Sequence, residues 1–222
     1  MKLVLFDCDG TLVDSVALIH ETMRRTFEAF GKPEPAEAVT RSTIGLTLDI
    51  GIARILGREH ADEECVRMMA HYKSLFAPVR AEGFQEPLFA GIREMLDELA
   101  AREDVLLGVV TGKSRRGFDM ICQTHGFEKL FLVSRTADDC PSKPHPAMVM
   151  ECCDHMGINP SDTVVIGDAI YDMQMAKAAD AKAIGVSWGY CAVEELRAAG
   201  ADLIAENPAD LPGLIVQVLD HA

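Results

Sequence analysis

Basic residues are scarce in this chain, and their scarcity narrows the classes of partner that it can have. Its 222 residues include 21 Lys and Arg against 35 Asp and Glu, which gives a formal net charge of −14. Such a charge repels nucleic acid and anionic membrane surfaces, so we expect neither as a partner. A small anionic substrate stays compatible with this charge, provided that the pocket itself is locally positive.

Long apolar runs and cysteine spacings typical of metal sites are also missing. No run approaches the length of a membrane span, and the apolar residues 1–6 are too few, and too soon followed by acids, for a signal peptide. The seven cysteines are odd in number and lack zinc-finger spacing. Cys152 and Cys153 precede His155, but neighbours on a helix point about 100° apart. We therefore expect packed, reduced thiols and a cytoplasmic protein.

The most informative stretch covers residues 3–15, with the sequence LVLFDCDGTLVDS. Its apolar start, residues 3–6, predicts a buried strand. Side chains alternate along a strand, so Asp7 and Asp9 are expected to point to one side. Two acids at the end of a buried strand repel each other, and a divalent cation that relieves this repulsion also attracts phosphate. The alternative is an ordinary turn with solvated acids.

Hydrophobic periodicity divides the chain into a helical part and an alternating part. Residues 15–85 carry apolar stripes with helical spacing and no convincing strand. From residue 91 onward, helix and strand patterns alternate, which predicts a parallel sheet covered on both faces. The predicted strands are 3–6, 105–110, 130–133, 163–166 and 183–186, and the later helices include 114–125, 145–156 and 171–179. We therefore predict an α/β protein, with a Rossmann-like parallel sheet core (1–14 and 86–222) and an inserted all-helical cap domain (15–85).

The second predicted strand is followed by a candidate anion site, because ligands bind at the carboxyl ends of parallel strands. Thr111 and Gly112 open a helix there, where a hydroxyl and backbone N–H groups form a cradle for an anion. A nucleotide-binding Walker loop is excluded, since Leu107 stands where that loop needs glycine. An ordinary helix cap stays open as the alternative.

A lysine and two further acids complete the candidate site residues of the core. Lys143 precedes Pro144 at a helix start, where a lone lysine is usually solvated. Asp168 and Asp172 stand four apart across a strand-to-helix junction, where acids also serve as simple helix caps. If they face the two acids of the first strand, the site has four carboxylates and demands a cation. Oxygen ligands of this kind select Mg²⁺.

Taken in order, these segments resemble the four motifs of the haloacid dehalogenase superfamily, in the version that its phosphatases carry. The matching stretches are DCDGT at 7–11, TGKS at 111–114, KP at 143–144 and GDAIYD at 167–172, and the likeness extends over the whole chain. The dehalogenase branch lacks the second acid, so Asp9 favours a phosphate ester over a halide or phosphonate. The likeness is to the phosphoglycolate phosphatase-like group, which has a helical cap after the first motif. Asp180 departs from the pattern, because relatives commonly have glycine there.

The resemblance implies a mechanism and a role for each motif. Asp7 would attack phosphorus to form an aspartyl-phosphate, while Asp9 would protonate the leaving group and later activate water. The implied cofactor is Mg²⁺, with metal residues Asp7, Asp9 (through its backbone carbonyl), Asp168 and Asp172. The implied substrate contacts in the core are Gly10, Thr111, Gly112 and Lys143, of which Thr111 and Lys143 also count as catalytic.

The cap is expected to close over this site and to select the substrate. Arg41, Thr43 and Gly45 lie in a polar interruption of its helical pattern and are the candidate substrate contacts there. Arg41 either meets a carboxylate or second phosphate of the substrate or is a solvated residue at a helix end. No role is assigned to His145.

These expectations favour Mg²⁺-dependent hydrolysis of a small phosphorylated metabolite, with 2-phosphoglycolate as one candidate. The first alternative is a sugar-phosphate mutase similar to β-phosphoglucomutase, which would retain the phosphoryl group on the same scaffold. The second is a catalytically silent regulatory protein, although the intact Asp7 argues against it. The expected partner is a small-molecule phosphate monoester, and the sequence leaves open a monomer or a homodimer.

Overall fold

The computed structural model of the chain describes residues 1–220. Over these residues a six-stranded parallel sheet has the strand order β3-β2-β1-β4-β5-β6. Its strands are β1 (Lys2–Phe6), β2 (Val105–Val110), β3 (Val133–Arg135), β4 (Thr163–Gly167), β5 (Lys182–Val186) and β6 (Leu203–Ala205). The helices are α1 (Val16–Ala29), α2 (Glu37–Arg41), α3 (Leu48–Ile55), α4 (Glu63–Ala81), α5 (Ile92–Ala100), α6 (Arg115–His125), α7 (Ala147–Met156), α8 (Ile170–Ala178), α9 (Val193–Ala198) and α10 (Leu211–Asp220).

β1 lies at the centre of the sheet, and its side chains are shared between two apolar cores. Val4 and Phe6 belong to the core beneath α5, α6 and α10. Leu3 and Leu5 point the other way, into the core beneath α7 and α8. All four are fully buried, and each such side chain stabilises the fold by about 1.5–3 kcal/mol. Helices therefore cover both faces, as the unbroken apolar run of β1 predicted.

The strand order determines where a ligand can bind. Phe6 of β1 is paired with Val109 of β2 on one side and with Ile166 of β4 on the other. After β1 the chain builds β2 and β3 outward on one side and then crosses over to build β4, β5 and β6 on the other. The direction in which strands are added to the sheet therefore reverses between β1 and β4. Open parallel sheets bind ligands at the carboxyl ends of the strands beside such a reversal.

Helices α1 to α4 follow β1 and have an apolar core of their own. Its fully or almost fully buried members are Met23, Phe27, Ile52, Ala53, Cys65, Met68 and Tyr72. The chain leaves for these helices and returns from them at one place, where Val13 and Leu88 form an antiparallel bridge. The Asp14 N–H donates to the Pro87 carbonyl oxygen at 2.8 Å beside that bridge. This arrangement agrees with the predicted insertion of an all-helical region into an α/β core.

The predicted third strand is displaced in the structure. Residues 130–133 were expected to be extended, but β3 begins only at Val133. Leu130 and Phe131 are half-buried and pack on the core beneath α5, α6 and α10 from an irregular segment. Their hydrophobicity indicates burial, which an irregular segment also provides. The short elements α2, β6 and α9 and the C-terminal α10 were not predicted.

Asp180 lies just beyond the end of α8. Its φ is +57°, in the left-handed region that favours glycine, which agrees with the glycine that the resemblance implies at this place. Aspartate tolerates this conformation better than most residues. Asp180 is therefore accommodated at the end of the helix.

All seven cysteines lie within the described residues as free thiols, and six of them are buried. Cys152 and Cys153 both pack in the core beneath α7 and α8, so they contribute to packing. Among the helices between residues 1 and 220, none has the length and hydropathy needed to cross a membrane.

Candidate active site

Three acids meet at the carboxyl ends of β1 and β4. Asp7 follows β1 and Asp168 follows β4, while Asp172 lies in the first turn of α8. One carboxylate oxygen from each lies within 4.8 Å of the others, and all three side chains are buried. Strand alternation and the parallel register therefore bring together three of the four acids that the sequence predicted to cluster.

Lys143 supplies a positive charge to two of these acids. Its Nζ donates to Asp7 Oδ1 at 2.7 Å and to Asp172 Oδ1 at 2.5 Å, and the residue is only 2% exposed. Burial lowers the pKa of Lys143, but the adjacent charges of Asp172 and Asp7 outweigh burial and raise it above its usual value. Lys143 is therefore an ammonium ion that bridges β1 and α8.

The remaining charge at the site is negative, which fits a divalent cation. Burial raises the pKa of Asp7 to about 7 against the opposing effect of Lys143, and burial with nearby acids raises the pKa of Asp168 well above its usual value. Asp7 Oδ2 is buried and accepts no hydrogen bond from the described residues. Three acids whose oxygens lie within 4.8 Å of one another, one of them with an unpaired oxygen, make a donor set suited to Mg²⁺.

Asp168 and Asp172 differ in what already binds their oxygens. Asp172 accepts from Lys143 on one oxygen and from the Ala169 N–H on the other, at 3.1 Å. Among the described residues, Asp168 accepts from two uncharged donors, the Thr11 hydroxyl at 3.0 Å and the Tyr190 N–H at 2.8 Å. Asp168 therefore lacks the ammonium partner that Asp172 has, which leaves it the more available of the two to a bound cation.

Two glycines allow the backbone to approach Asp168 closely. A Cβ placed on Gly10 would lie 2.3 Å from Asp168 Oδ2, and Gly10 has a φ of +86°. A Cβ on Gly189 would lie 2.1 Å from Asp168 Cβ. Gly10 was predicted as a substrate contact, whereas Gly189 was not predicted as a site residue. Both are required where they stand, because any side chain would displace Asp168.

Asp9 lies apart from the other acids and forms a separate buried ion-pair cluster. Lys113 Nζ donates to Asp9 Oδ1 and to Glu86 Oε1, both at 2.8 Å, and the Lys113 side chain is 7% exposed. Burial lowers the pKa of Lys113, but the charges of Asp9 and Glu86 outweigh it, so the pKa is raised. Arg80 of α4 lies 3.6 Å from Glu86, and the Phe76 ring lies beneath the Lys113 ammonium group. This cluster joins Asp9 to the segment that returns from the helical region.

Sequence reasoning did not assign roles to Lys113 and Glu86. Lys113 had a signal, since it stands within the motif at 111–114 after a buried strand. Glu86 had none, because a single acid beside Pro87 in a connecting segment is ordinarily solvated. Its 3% exposure is visible only in the fold.

Thr111 and Gly112 follow β2, and Gly112 contacts the loop before α3. Thr111 is 1% exposed, and its hydroxyl accepts from the Lys113 N–H at 3.2 Å. A Cβ on Gly112 would lie 2.6 Å from the carbonyl oxygens of Gly45 and Leu46. The backbones of the core and the helical region therefore touch at Gly112, next to the candidate anion cradle.

A cavity of about 840 Å³ lies between the helical region and the core. Thr43 and Gly45 line it from the helical side, and Asp9, Gly112 and Lys113 line it from the core. Arg41 is absent from the lining and is exposed, with its guanidinium 5.2 Å from the centre of the Tyr190 ring.

The Tyr190 hydroxyl anchors the start of α1. It accepts from the N–H groups of Ser15 and Val16 at 2.9 and 3.1 Å and lies 3.2 Å from Asp14 Oδ1. Ser15 directly precedes α1, but its own hydroxyl is buried without a partner among the described residues, so the Tyr190 hydroxyl accepts from the first N–H groups in its place. His145 is exposed and its Nδ1 accepts from the Ala147 N–H, which is a local contact at the start of α7.

The chain belongs to the haloacid dehalogenase-like hydrolase family, whose model matches residues 4–186. It is 30% identical to the N-acetylmuramic acid 6-phosphate phosphatase of Pseudomonas aeruginosa, over 100% of this chain and 96% of that protein. It is 28% identical to the phosphoglycolate phosphatase of Mannheimia succiniciproducens, over 95% of this chain and 96% of that one. The crystal structure of a predicted phosphatase from Clostridium acetobutylicum superposes with a TM-score of 0.86 over 97% of this chain and 98% of the other, at 23% identity.

These comparisons confirm three of the predictions made from the sequence. The family is the predicted one, and the architecture is the predicted α/β core with a helical insertion. The enzyme class is also the predicted one, a hydrolase whose similar proteins carry the names of phosphatases. The names of these two relatives differ in their substrates.

Proposed function

We propose that the protein hydrolyses the phosphate monoester of a small metabolite through a phosphorylated intermediate on Asp7. The observation that carries the proposal is the environment of this side chain. Asp7 is buried at the end of β1, where the order of strand addition reverses. Its Oδ1 accepts from Lys143 at 2.7 Å, and its Oδ2 is unpaired among the described residues. An oriented carboxylate with a free oxygen, next to a cation, is suited to nucleophilic attack on phosphorus.

The reaction has two steps at phosphorus. An Asp7 oxygen forms a bond to phosphorus while the bond between phosphorus and the alcohol oxygen breaks, and the alcohol takes a proton from Asp9. Water then attacks the aspartyl-phosphate, Asp9 takes its proton, and inorganic phosphate leaves Asp7 free again. We assign both transfers to Asp9, since it stands two residues from Asp7, lines the cavity and has one oxygen fixed by Lys113.

Mg²⁺ is the proposed cofactor, and we assign its protein ligands to Asp7, the Asp9 carbonyl and Asp168, with Asp172 in support. When bound, the ion offsets the repulsion between the acids and the phosphate. Lys143 supplies a fixed positive charge next to Asp7, at 2.7 Å from Oδ1. The Thr111 hydroxyl and the backbone at Gly10 and Gly112 are the proposed donors and contacts for the phosphoryl oxygens.

We propose that residues 1–14 and 86–222 perform the chemistry and that residues 15–85 control access to it. The paired segments at Val13 and Leu88 are the proposed hinges. Thr43 and Gly45 are the proposed substrate contacts from the cap, since both line the cavity. A cytoplasmic location and a monomer or homodimer stay predictions from the sequence.

The test is a screen of phosphorylated metabolites for phosphate release, with Mg²⁺ and with a chelator. We expect release that depends on Mg²⁺ and that falls at least ~10⁴-fold in Asp7→Asn, the scale on which a covalent catalyst is lost. β-Glucose 1-phosphate is included, because isomer formation without phosphate release would identify a mutase. Absence of both reactions across the screen would favour the catalytically silent alternative.

A further inference from the structure

The cavity beside Asp9 is much larger than a small leaving group needs. Its volume is about 840 Å³, toward the upper end of the roughly 300–1,000 Å³ that holds drug-sized ligands. Asp9, Gly112 and Lys113 are among its lining residues, and in the proposed reaction the departing alcohol takes its proton from Asp9. A two-carbon leaving group such as glycolate would fill only a small part of this volume and leave the remainder to water.

Apolar side chains make up much of the remaining lining of the cavity. They include Ile19 of α1, Ile50 of α3, Met69 and Phe76 of α4, and Met120 of α6. Several helices of the insertion and one of the core therefore contribute apolar surface to one cavity. Water finds few hydrogen-bond partners along such walls, whereas the transfer of an apolar group from water to this surface has a favourable free energy. The flexible methionine side chains can also adapt to ligands of different shape.

The basic side chains of the lining do not favour a carboxylate next to Asp9. Lys113 is already shared between Asp9 and Glu86. Lys73 of α4 pairs with Asp138 at 3.7 Å, and both residues line the cavity. Arg116, the third basic residue of the lining, is exposed at the start of α6. Two of the three basic side chains of the lining are therefore already paired with acids and the third is exposed, which leaves little positive charge for the carboxylate of 2-phosphoglycolate.

From this cavity we infer that the substrate is an organic phosphate monoester whose alcohol is bulky and carries an apolar surface, rather than 2-phosphoglycolate. The inference rests on the proposed phosphatase function and adds the chemical class of the leaving group to it. The phosphate lies at the strand ends, and the apolar part of the alcohol extends between α1, α4 and α6.

The test uses the unaltered protein and a series of primary alkyl phosphates from ethyl to hexyl phosphate, with 2-phosphoglycolate beside them. The ester bond is alike throughout the alkyl series, so differences in kcat/KM between these substrates report how much of the alkyl group is buried in the cavity. We expect kcat/KM to rise about fourfold for each added CH₂ that is buried, equivalent to about 0.8 kcal/mol. Hexyl phosphate should also exceed 2-phosphoglycolate. A flat or falling series, or 2-phosphoglycolate as the best of these substrates, overturns the inference.

A second measurement narrows the cavity with Met69→Trp on α4. We expect this variant to lower kcat/KM for hexyl phosphate at least tenfold more than for ethyl phosphate. Val66→Trp is the matched control, because Val66 lies on the same helix, is 50% exposed and is absent from the lining. Its hexyl-to-ethyl ratio should equal that of the unaltered protein. Equal ratios in both variants would contradict the inference.

The two levels of the proposal fail in different ways. If no phosphate ester is hydrolysed in the presence of Mg²⁺, the proposed function itself is wrong. If phosphate is released but chain length has no effect, the proposed function stands and only the bulky, apolar leaving group is rejected.

Discussion

Replacing Lys143 tests whether the buried charges at the site balance one another as the structure indicates. Lys143 Nζ contacts Asp7 at 2.7 Å and Asp172 at 2.5 Å, with all three side chains at most 1% exposed. Lys143→Met keeps an unbranched side chain but leaves the buried carboxylates without their cation. Removing one partner of a buried ion pair costs about 3–5 kcal/mol, a large fraction of the roughly 5–15 kcal/mol by which a domain is stable.

The assay is urea unfolding in a chelator at neutral pH, monitored by the fluorescence of Trp188. This side chain packs against the core beneath α5, α6 and α10, and its Nε1–H donates to the Thr11 carbonyl oxygen at 3.1 Å. With an m-value of about 2 kcal/mol/M, the unfolding midpoint should fall by about 1.5–2.5 M. Adding Mg²⁺ should raise the midpoint more in Lys143→Met than in the unaltered protein, because the ion replaces part of the missing positive charge.

Lys177→Met is the matched control for this change. Lys177 also pairs with an aspartate, Asp202, but their side chains are 37% and 31% exposed. Ion pairs that reach solvent contribute about 0–1 kcal/mol, so its midpoint should move by at most about 0.5 M. Equal shifts in the two variants would show that Lys143 does not hold the buried acids together, and the electrostatic account of the site would be wrong.

Three further predictions follow from the same site. Asp168→Ala should weaken the response of activity to Mg²⁺ more than Asp172→Ala does, because Asp172 is already paired with Lys143. If Mg²⁺ titrations show equal responses in the two variants, or a weaker response in Asp172→Ala, the assignment of Asp168 as the metal ligand and Asp172 as its support is wrong. In a chelator, the stability that Asp7 contributes should fall as the pH rises from the ordinary aspartate value of 3.8 to about 7. Burial raises the pKa of Asp7 to about 7, so between these pH values the folded protein keeps a proton on Asp7 that the unfolded chain has lost. The measurement is the difference in free energy of unfolding between the unaltered protein and Asp7→Asn in urea titrations, and a difference that rises over this interval would contradict the prediction. Arg41→Ala should leave unchanged the ratio of kcat/KM for 2-phosphoglycolate to kcat/KM for p-nitrophenyl phosphate, because Arg41 lies over Tyr190 outside the cavity lining. A ten- to hundredfold change in this ratio would instead identify Arg41 as a substrate contact.

The sequence predicted those parts of the fold that local patterns determine. Residues 3–6 form a strand because an unbroken apolar run is compatible with burial on both faces of a sheet. The helical stripes between residues 15 and 85 likewise predicted a helical insertion with its own core. β6 and α9 were missed, since elements of three and six residues carry too little periodicity to be recognised.

The site was predictable where a motif lies at a strand end, and less so where two distant segments meet. Asp7 and Asp168 come together because parallel strands end at one edge of the sheet. The pairing of Lys113 with Glu86 and the anchoring of α1 by Tyr190 depend on how the connecting segments pack. No local pattern encodes such contacts, since partners 27 and 175 residues apart are joined only by the tertiary fold.

The central claim, that Asp7 carries the phosphoryl group, is tested most directly by trapping the intermediate. The protein is mixed with Mg²⁺ and a substrate from the screen, quenched within the first turnover, treated with hydroxylamine and mapped by peptide mass spectrometry. An aspartyl-phosphate would be converted to a hydroxamate at Asp7, and the modification would be absent in Asp7→Asn. Modification of another residue, or undiminished turnover by Asp7→Asn, would contradict the account.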